Sequence, residues 1–339
     1  MSITLGNVFL PHGLILAPMA GVTDVTFRQI CKKYGAEYTV SEMVSAKALC
    51  YEQLSKRKEF NTSSTAYLAT VRQEEQPMAI QLLGNDPEFM SEAAKMIEAC
   101  DYKGCTSKEP PVAIDINMGC PVRKITSNGE GSALMKEPEL AAKIVSAVVK
   151  AVKLPVTVKI RAGWDKNNIN APKMAKMLED AGASLICVHG RTRDQFYYPG
   201  VNINVIKETK EAVSVPVVAN GDIYGVEDAV KMISETNCDG IMIGRGAMGN
   251  PWIFEKIIAA LEKKEYIVPS FEEKLKVAVA HLHDMINAKG ERAGIAEGKK
   301  HMAWYITGMK GAASARTEIM NSTSVSGIEE ILQNLLDAQ

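Results

Sequence analysis

The chain has no strong bias of charge and no segment built for a membrane. Its 39 Lys and Arg residues nearly balance 40 Asp and Glu, for a formal net charge of -1. That excludes a uniformly basic nucleic-acid coat, so any contact with RNA or DNA has to come from a local patch. No apolar run approaches the ~20 residues needed to span a bilayer. Met1–Leu10 lacks a basic region followed by an apolar core, so no signal peptide is expected and the expected compartment is the cytoplasm. The seven cysteines form no Cys-x-x-Cys pair, and only five histidines are present. An odd, scattered set of thiols fits a reducing environment, and it offers no zinc or iron–sulfur spacing. Nothing resembles a coiled coil, so a monomer is the default.

What is present is a regular alternation. Short apolar or β-branched runs recur at Leu14–Pro18, Tyr38–Glu42, Met78–Leu83, Val112–Ile116, Val156–Arg161, Ser184–His189, Val215–Ala219 and Gly240–Ile243. Helical periodicity fills most of the intervals, with start signals at Asp24, Asp86-Pro87, Glu137-Pro138 and Asn170-Ala171-Pro172. Continuous apolar strands separated by helices imply a parallel sheet covered on both faces. Eight such units over roughly 250 residues predict an α/β fold closed as a (β/α)8 TIM barrel. An open doubly wound sheet would carry a glycine fingerprint after its first strand. Here that strand runs into Ala17-Pro18-Met19-Ala20-Gly21, which offers none.

The texture changes near Ser270. Phe271–Ala288, Gly298–Lys310 and Ile328–Asp337 are helical in pattern, with no strand signal between them. We therefore divide the chain into a barrel domain, 1–265, and a small all-helical domain, 266–339, with Pro269 as the expected hinge.

Polar residues cluster where the strands run out, which is where barrels keep their chemistry. Gln81 ends the third run, Asn117 and Cys120 follow the fourth, and Lys159 and Arg161 close the fifth. His189 ends the sixth, Asn220-Gly221-Asp222 follow the seventh, and Gly244-Arg245-Gly246 follow the eighth. The Gly-rich turns expose backbone N–H groups, and Asn250-Pro251-Trp252 begins a helix, a combination suited to phosphate. Arg245 beside those amides adds a charge-assisted contact. An ammonium at Lys159, near the barrel axis, can neutralise electron density building up on a bound ring or carbonyl. Taken alone, Cys120 reads more readily as a small buried hydrophobe than as a reactive thiol. Lys159 alone could be a Schiff-base lysine, and His189 alone a core histidine.

The ordered motifs carry a family resemblance. Leu16-Ala17-Pro18-Met19-Ala20-Gly21-Val22-Thr23-Asp24, Ser41-Glu42-Met43, Gln81-Leu82-Leu83-Gly84, Asp115-Ile116-Asn117-Met118-Gly119-Cys120-Pro121 and Val158-Lys159-Ile160-Arg161-Ala162-Gly163-Trp164 come first. His189-Gly190-Arg191-Thr192-Arg193, Asn220-Gly221-Asp222-Ile223 and Gly244-Arg245-Gly246 complete the set. Together they resemble the tRNA-dihydrouridine synthases, most closely the bacterial B-type branch. Gly298-Lys299-Lys300-His301-Met302-Ala303-Trp304-Tyr305 resembles the family's helical RNA-binding domain more loosely.

The resemblance implies FMN as cofactor, NADPH as co-substrate and tRNA as partner, with no metal. It implies that Pro18, Met19 and Ala20 lie against the flavin ring, that Gln81 bonds its polar edge, and that Lys159 stabilises negative charge on it. It places His189 at the flavin or its phosphate, and Asn220, Gly221, Asp222, Gly244 and Arg245 around the phosphate and ribityl chain. Cys120 becomes the proton donor, and Asn117 and Arg161 are expected at the uracil edge. Lys289, Arg292, Lys299, Lys300, Lys310 and Arg316 concentrate positive charge in the helical domain. With Arg123 and Lys124 they are the candidate RNA contacts. Two competing readings are a flavoenzyme acting on a small dihydropyrimidine, and an RNA-binding factor on an inactive barrel.

Overall fold

The computed structural model describes residues 1–54 and 65–339. Strands β1 (Ile3–Leu5) and β2 (Val8–Leu10) pair antiparallel as a hairpin. The barrel follows: β3 (Leu14–Leu16), β4 (Tyr38–Ser45), β5 (Met78–Leu83), β6 (Ala113–Met118), β7 (Val156–Gly163), β8 (Leu185–Thr192), β9 (Val217–Asn220) and β10 (Gly240–Ile243). Each pairs in parallel with its sequence neighbour, and β10 closes on β3. These are the eight runs expected from the sequence, with shifted ends.

The alternation of side chains along each strand sorts them into two cores. Ile114, Ile116 and Met118 on β6, like Ile80 and Leu82 on β5, face outward and join the helices in the outer layer. Ala79, Ala113, Leu185, Cys187, Val218 and Met242 face inward. The hairpin residues Ile3, Leu5 and Leu10 belong to that inner cluster, so the hairpin plugs the N-terminal end of the barrel. Periodicity does not reveal this hairpin, because strands of three residues are too short to read. Cys187 is a buried thiol of that inner cluster. Register shifts interrupt the β4–β5 ladder between Val40 and Met43, and Ser41 Oγ there accepts from the Gln81 N–H at 2.9 Å.

Helices begin where the capping residues predicted. Asp24 accepts from Phe27 N at the start of Val25–Lys33, Asp86 caps Pro87–Glu98, and Ser270 and Glu273 form a capping box on Phe271–Lys289. The C-terminal domain adds Glu291–Tyr305, Ala312–Asn321 and Val325–Asp337. The second of its helices starts at Glu291, earlier than the expected Gly298, and the third was not read at all. Gly294 looks like a helix breaker, but it is a packing contact. A Cβ there would lie 2.6 Å from the backbone of Ile286 on the preceding helix.

The barrel and the C-terminal helices meet through a buried polar and aromatic seam. Phe27 stacks on His281 with centroids 5.7 Å apart and tilts against His301 at 5.2 Å. Trp252 lies between Tyr34 and Tyr305. Lys289, expected among the RNA contacts, is not on an open face. Its side chain is 8% exposed, and its ammonium sits 2.5 Å from carboxylates of both Asp24 and Glu297. Local charge counting cannot distinguish a solvated cation from one buried against an acid on the other domain. Pro269 directly precedes the Ser270 cap, and the domains it joins are tied by this seam. Among the described residues, no helix is long and apolar enough to cross a membrane.

The seam is sensitive to acid. Burial raises the Asp24 pKa, but the Lys289 ammonium and hydrogen bonds outweigh it and hold the carboxyl at about 2. Burial depresses His281 to about 3 and His301 to about 4, so both rings fold neutral. Unfolded imidazoles take up protons below about 6.5. Stability is therefore lost progressively as pH falls from 6.5 toward 3, and the Asp24 contribution follows between about 4 and 2. Each histidine should cost roughly 2–3 kcal/mol at pH 4.5. Thermal melts should show a steep loss between pH 6.5 and 4.5 that the double variant His281→Phe, His301→Leu flattens. An unchanged slope would contradict this assignment.

Candidate active site

A cavity of about 410 Å³ opens at the C-terminal rim of the barrel. Pro18, Met19 and Ala20 after β3, Gln81 on β5, and Asn117 and Cys120 at the end of β6 all line it. So do Lys159 and Arg161 on β7, His189 on β8, Asn220, Gly221 and Asp222 after β9, and Gly244 and Arg245 after β10. Arg123 is exposed on the short helix Arg123–Thr126, outside the lining. Lys299, Lys300 and Arg316 lie on helices of the C-terminal domain. Lys300 is exposed, whereas Lys299 donates to the Met320 carbonyl and Arg316 to the Ala303 carbonyl and Thr307 Oγ1.

Cys120 is held by its backbone on both sides. Its N–H donates to Asn117 Oδ1 at 2.9 Å, and its carbonyl accepts from Ser132 N at 3.0 Å and Ser132 Oγ at 2.8 Å. Gly131 makes this possible. It adopts φ +59°, and a Cβ there would come within 2.9 Å of the Cys120 carbonyl. Arg161, 2% exposed, locks the same loop from β7. Its Nε donates to the Gly119 carbonyl at 2.8 Å, and its Nη1 to the carbonyls of Thr192 at 2.8 Å and Phe196 at 3.1 Å. Burial raises the Cys120 pKa above its ordinary 9.0, against the pull of a backbone bond and of Arg161 and Lys159. Burial thus favours the thiol over the thiolate at neutral pH.

The opposite wall is cationic. Lys159 Nζ donates to Asn220 Oδ1 at 2.9 Å, and Asn220 Nδ2 donates to the Met242 carbonyl at 2.7 Å. Asp222 accepts from Arg191 Nη2 at 2.5 Å and from Arg245 Nη2 at 3.3 Å. One carboxylate thus serves two guanidiniums, which leaves positive charge for an anion. His189 reports the same imbalance. Burial first, then Lys159, Arg161, Arg191 and Arg245, depress its pKa well below the ordinary value. The donor set fits a flavin nucleotide: cations at one end for a phosphate, a buried ammonium deeper in, and Pro18, Met19 and Ala20 along an apolar edge. A volume of this order is typical of cofactor clefts.

Several lining residues carry no role in the sequence reading: Met43, Arg191, Tyr197, Tyr224 and Met242. Arg191 had a usable signal, because it lies two residues beyond His189 on the same strand. Tyr197 and Tyr224 had none. They reach the cavity on loops, where Arg245 lies 5.1 and 5.6 Å from their ring centroids.

Comparison with known proteins agrees with this geometry. The dihydrouridine synthase (Dus) family profile matches residues 15–339. The chain belongs to the dihydrouridine synthase family. It is thereby a tRNA-dihydrouridine synthase, an oxidoreductase of tRNA modification. It is 42% identical over 315 residues to a probable tRNA-dihydrouridine synthase of Rickettsia conorii, covering 93% of this chain and 90% of that one. It is 38% identical over 317 residues to tRNA-dihydrouridine synthase B of Pseudomonas aeruginosa, again covering 93% and 90%. In fold it is similar to a morphinone reductase variant in complex with tetrahydroNAD, with TM-score 0.53, 12% identity, and 76% and 90% of the two chains covered. The old yellow enzyme homologue of Zymomonas mobilis gives TM-score 0.52 at 15% identity, covering 80% and 95%. Among the described residues, no group of three or more His, Cys, Asp and Glu side chains could hold a metal ion.

The raised thiol pKa of Cys120 has a direct consequence. Alkylation of Cys120 by iodoacetamide, followed by peptide mass mapping, should stay slow at pH 7–8 and accelerate only above pH 9. Rapid labelling at pH 7 would show a thiolate and contradict the raised pKa.

Proposed function

We propose that this dihydrouridine synthase binds FMN in the rim cavity, takes hydride from NADPH, and reduces uridine in tRNA with Cys120 as proton donor. The observation that carries the reading is the convergence of a protonated thiol and a cationic wall on one cavity. When bound, FMN supplies hydride to carbon-6 of the uracil ring. The protein's own residues do the rest. Lys159 and the arginines around Asp222 hold negative charge. Gln81 presents its amide to the ring edge, with Pro18, Met19 and Ala20 along its face. His189, Asn220, Gly221, Gly244 and Arg245 bound the phosphate and ribityl end.

Cys120 delivers its proton to carbon-5 from the loop that Asn117, Ser132 and Arg161 fix. Positioned acids of this kind contribute roughly 10²–10⁴-fold to rate. Asn117 and Arg161 border the space for the uracil edge, and Arg161 has Nη2 outside its three carbonyl bonds. The target base has to leave its stack, which costs a few kcal/mol that contacts elsewhere on the RNA must repay. Arg123, Lys299, Lys300 and Arg316 are the cations assigned to those phosphate contacts.

The test is mass mapping of tRNA from a strain deleted for this gene. Uridines gain two hydrogens when the native chain is restored, and lose that gain with Cys120→Ala. The Cys120→Ala protein should still purify yellow and release FMN on denaturation. A colourless native protein would remove the cofactor assignment, and tRNA unchanged by the deletion would remove the substrate.

Charge reversal at Lys299 and Lys300 should weaken tRNA binding and flatten its dependence on salt. Affinity unchanged at every salt concentration would take the helical domain's patch out of the interface.

A further inference from the structure

Beneath the rim, a carboxylate with no role in the reaction lies inside the barrel. Asp115, on β6, is 4% exposed. Thr157 Oγ1 donates to its Oδ1 at 2.5 Å, and Gln81 Nε2 donates to its Oδ2 at 2.6 Å. Gln81 Oε1 accepts from Asn117 Nδ2 at 2.7 Å. Asn117 Oδ1 in turn accepts from the backbone N–H groups of Gly119, at 3.1 Å, and Cys120, at 2.9 Å.

The direction of this chain is forced from its far end. Backbone N–H groups can only donate, so Asn117 must turn its oxygen to the Cys120 loop and its NH2 to Gln81. Gln81 must then turn its oxygen to Asn117 and its NH2 toward position 115. An acceptor is required there, and a carboxylate is acceptor-only. A buried amide N–H left without that partner would cost its full desolvation, or would flip and break each bond above it.

We propose that Asp115 is a positioning residue, whose acceptor oxygen fixes the Gln81 and Asn117 amides and so holds Cys120 in place for proton delivery. This rests on the function proposed above for Cys120. Asp115 also faces charged or titratable groups on its neighbours: Lys159, Cys187 and Tyr38. Burial pushes the Asp115 carboxyl up to about 6, against the Thr157 and Gln81 bonds and the Lys159 charge. An effect through Lys159 would depend on charge, whereas the relay depends only on an acceptor.

Two substitutions separate these roles. Asp115→Asn removes the charge but keeps an oxygen for Gln81 Nε2, while Asp115→Leu removes both at similar size. In the FMN-loaded enzyme, anaerobic stopped-flow absorbance follows flavin reduction by NADPH and then reoxidation by tRNA. Asp115→Leu should slow the tRNA step roughly 10²-fold, as expected for a misplaced reacting group, and leave the NADPH step near the native rate. Asp115→Asn should run close to native in both.

Equal loss in the two variants, or no loss in either, overturns the proposal, as does an equal slowing of both steps by Asp115→Leu. If Asp115→Leu does not fold, Asp115→Ala removes the same acceptor without filling the barrel. Iodoacetamide labelling of Cys120 reads the loop without RNA: its rate should change in Asp115→Leu and not in Asp115→Asn. A native enzyme that tRNA fails to reoxidise would count against the proposed function, while the labelling comparison still decides the relay.

Discussion

A closed barrel leaves an inward-facing polar group nowhere to find water, and the rim of this enzyme is organised around that constraint. Each strand contributes an inward residue at every second position, and the layers below the rim are filled by Ile15, Ala79, Ala113, Leu185 and Val218 above a hairpin plug. Polar groups one layer higher must satisfy one another. Asp115, Thr157, Gln81 and Asn117 do so in a continuous chain, and Lys159 and Asn220 do so across the barrel. Satisfied networks of this kind are rigid, and the loss of a single partner affects the others. Rigidity is what a thiol needs if it is to meet one carbon of a base brought in from solution.

The same constraint explains why so much of the rim was legible in the sequence. Gln81, Asn117, Lys159 and His189 each lie within or directly after a short apolar run, and period-two alternation alone turns them inward. Arg161 was legible as a rim residue, but its clamp on the carbonyls of Gly119, Thr192 and Phe196 was not, because no pattern encodes a contact between a side chain and remote backbone. Tyr197 and Tyr224 were invisible for a related reason: loop residues have no periodicity to place them. The hairpin escaped through its brevity. The helix Ala312–Asn321 was hidden by a small-residue composition with no apolar stripe.

Lys289 was misread in a more instructive way. Cationic composition in the helical domain suggested a surface for phosphates, and Lys300 and Arg292 are indeed exposed. Lys289 instead neutralises Asp24, which also caps the first barrel helix through Phe27 N. One carboxylate therefore starts a helix and anchors a domain. Removing either partner would strand a buried charge, which is the expensive way to break an ion pair.

That anchor bears on catalysis through the loop it follows. Asp24 closes the segment Pro18–Thr23, whose first three residues border the cavity, and Thr23 Oγ1 accepts from Met19 N at 2.8 Å within it. Arg28, paired with buried Glu75, donates to the Thr23 carbonyl at 2.8 Å from the other side. The C-terminal helices are thus fastened to the same short loop that borders the rim cavity. A domain hinged freely at Pro269 would let bound RNA wander relative to the thiol. Helices fastened at Asp24 share one frame with Cys120 and the rim cavity, so on the function proposed above, contacts that tRNA makes with them are converted into the position of its base.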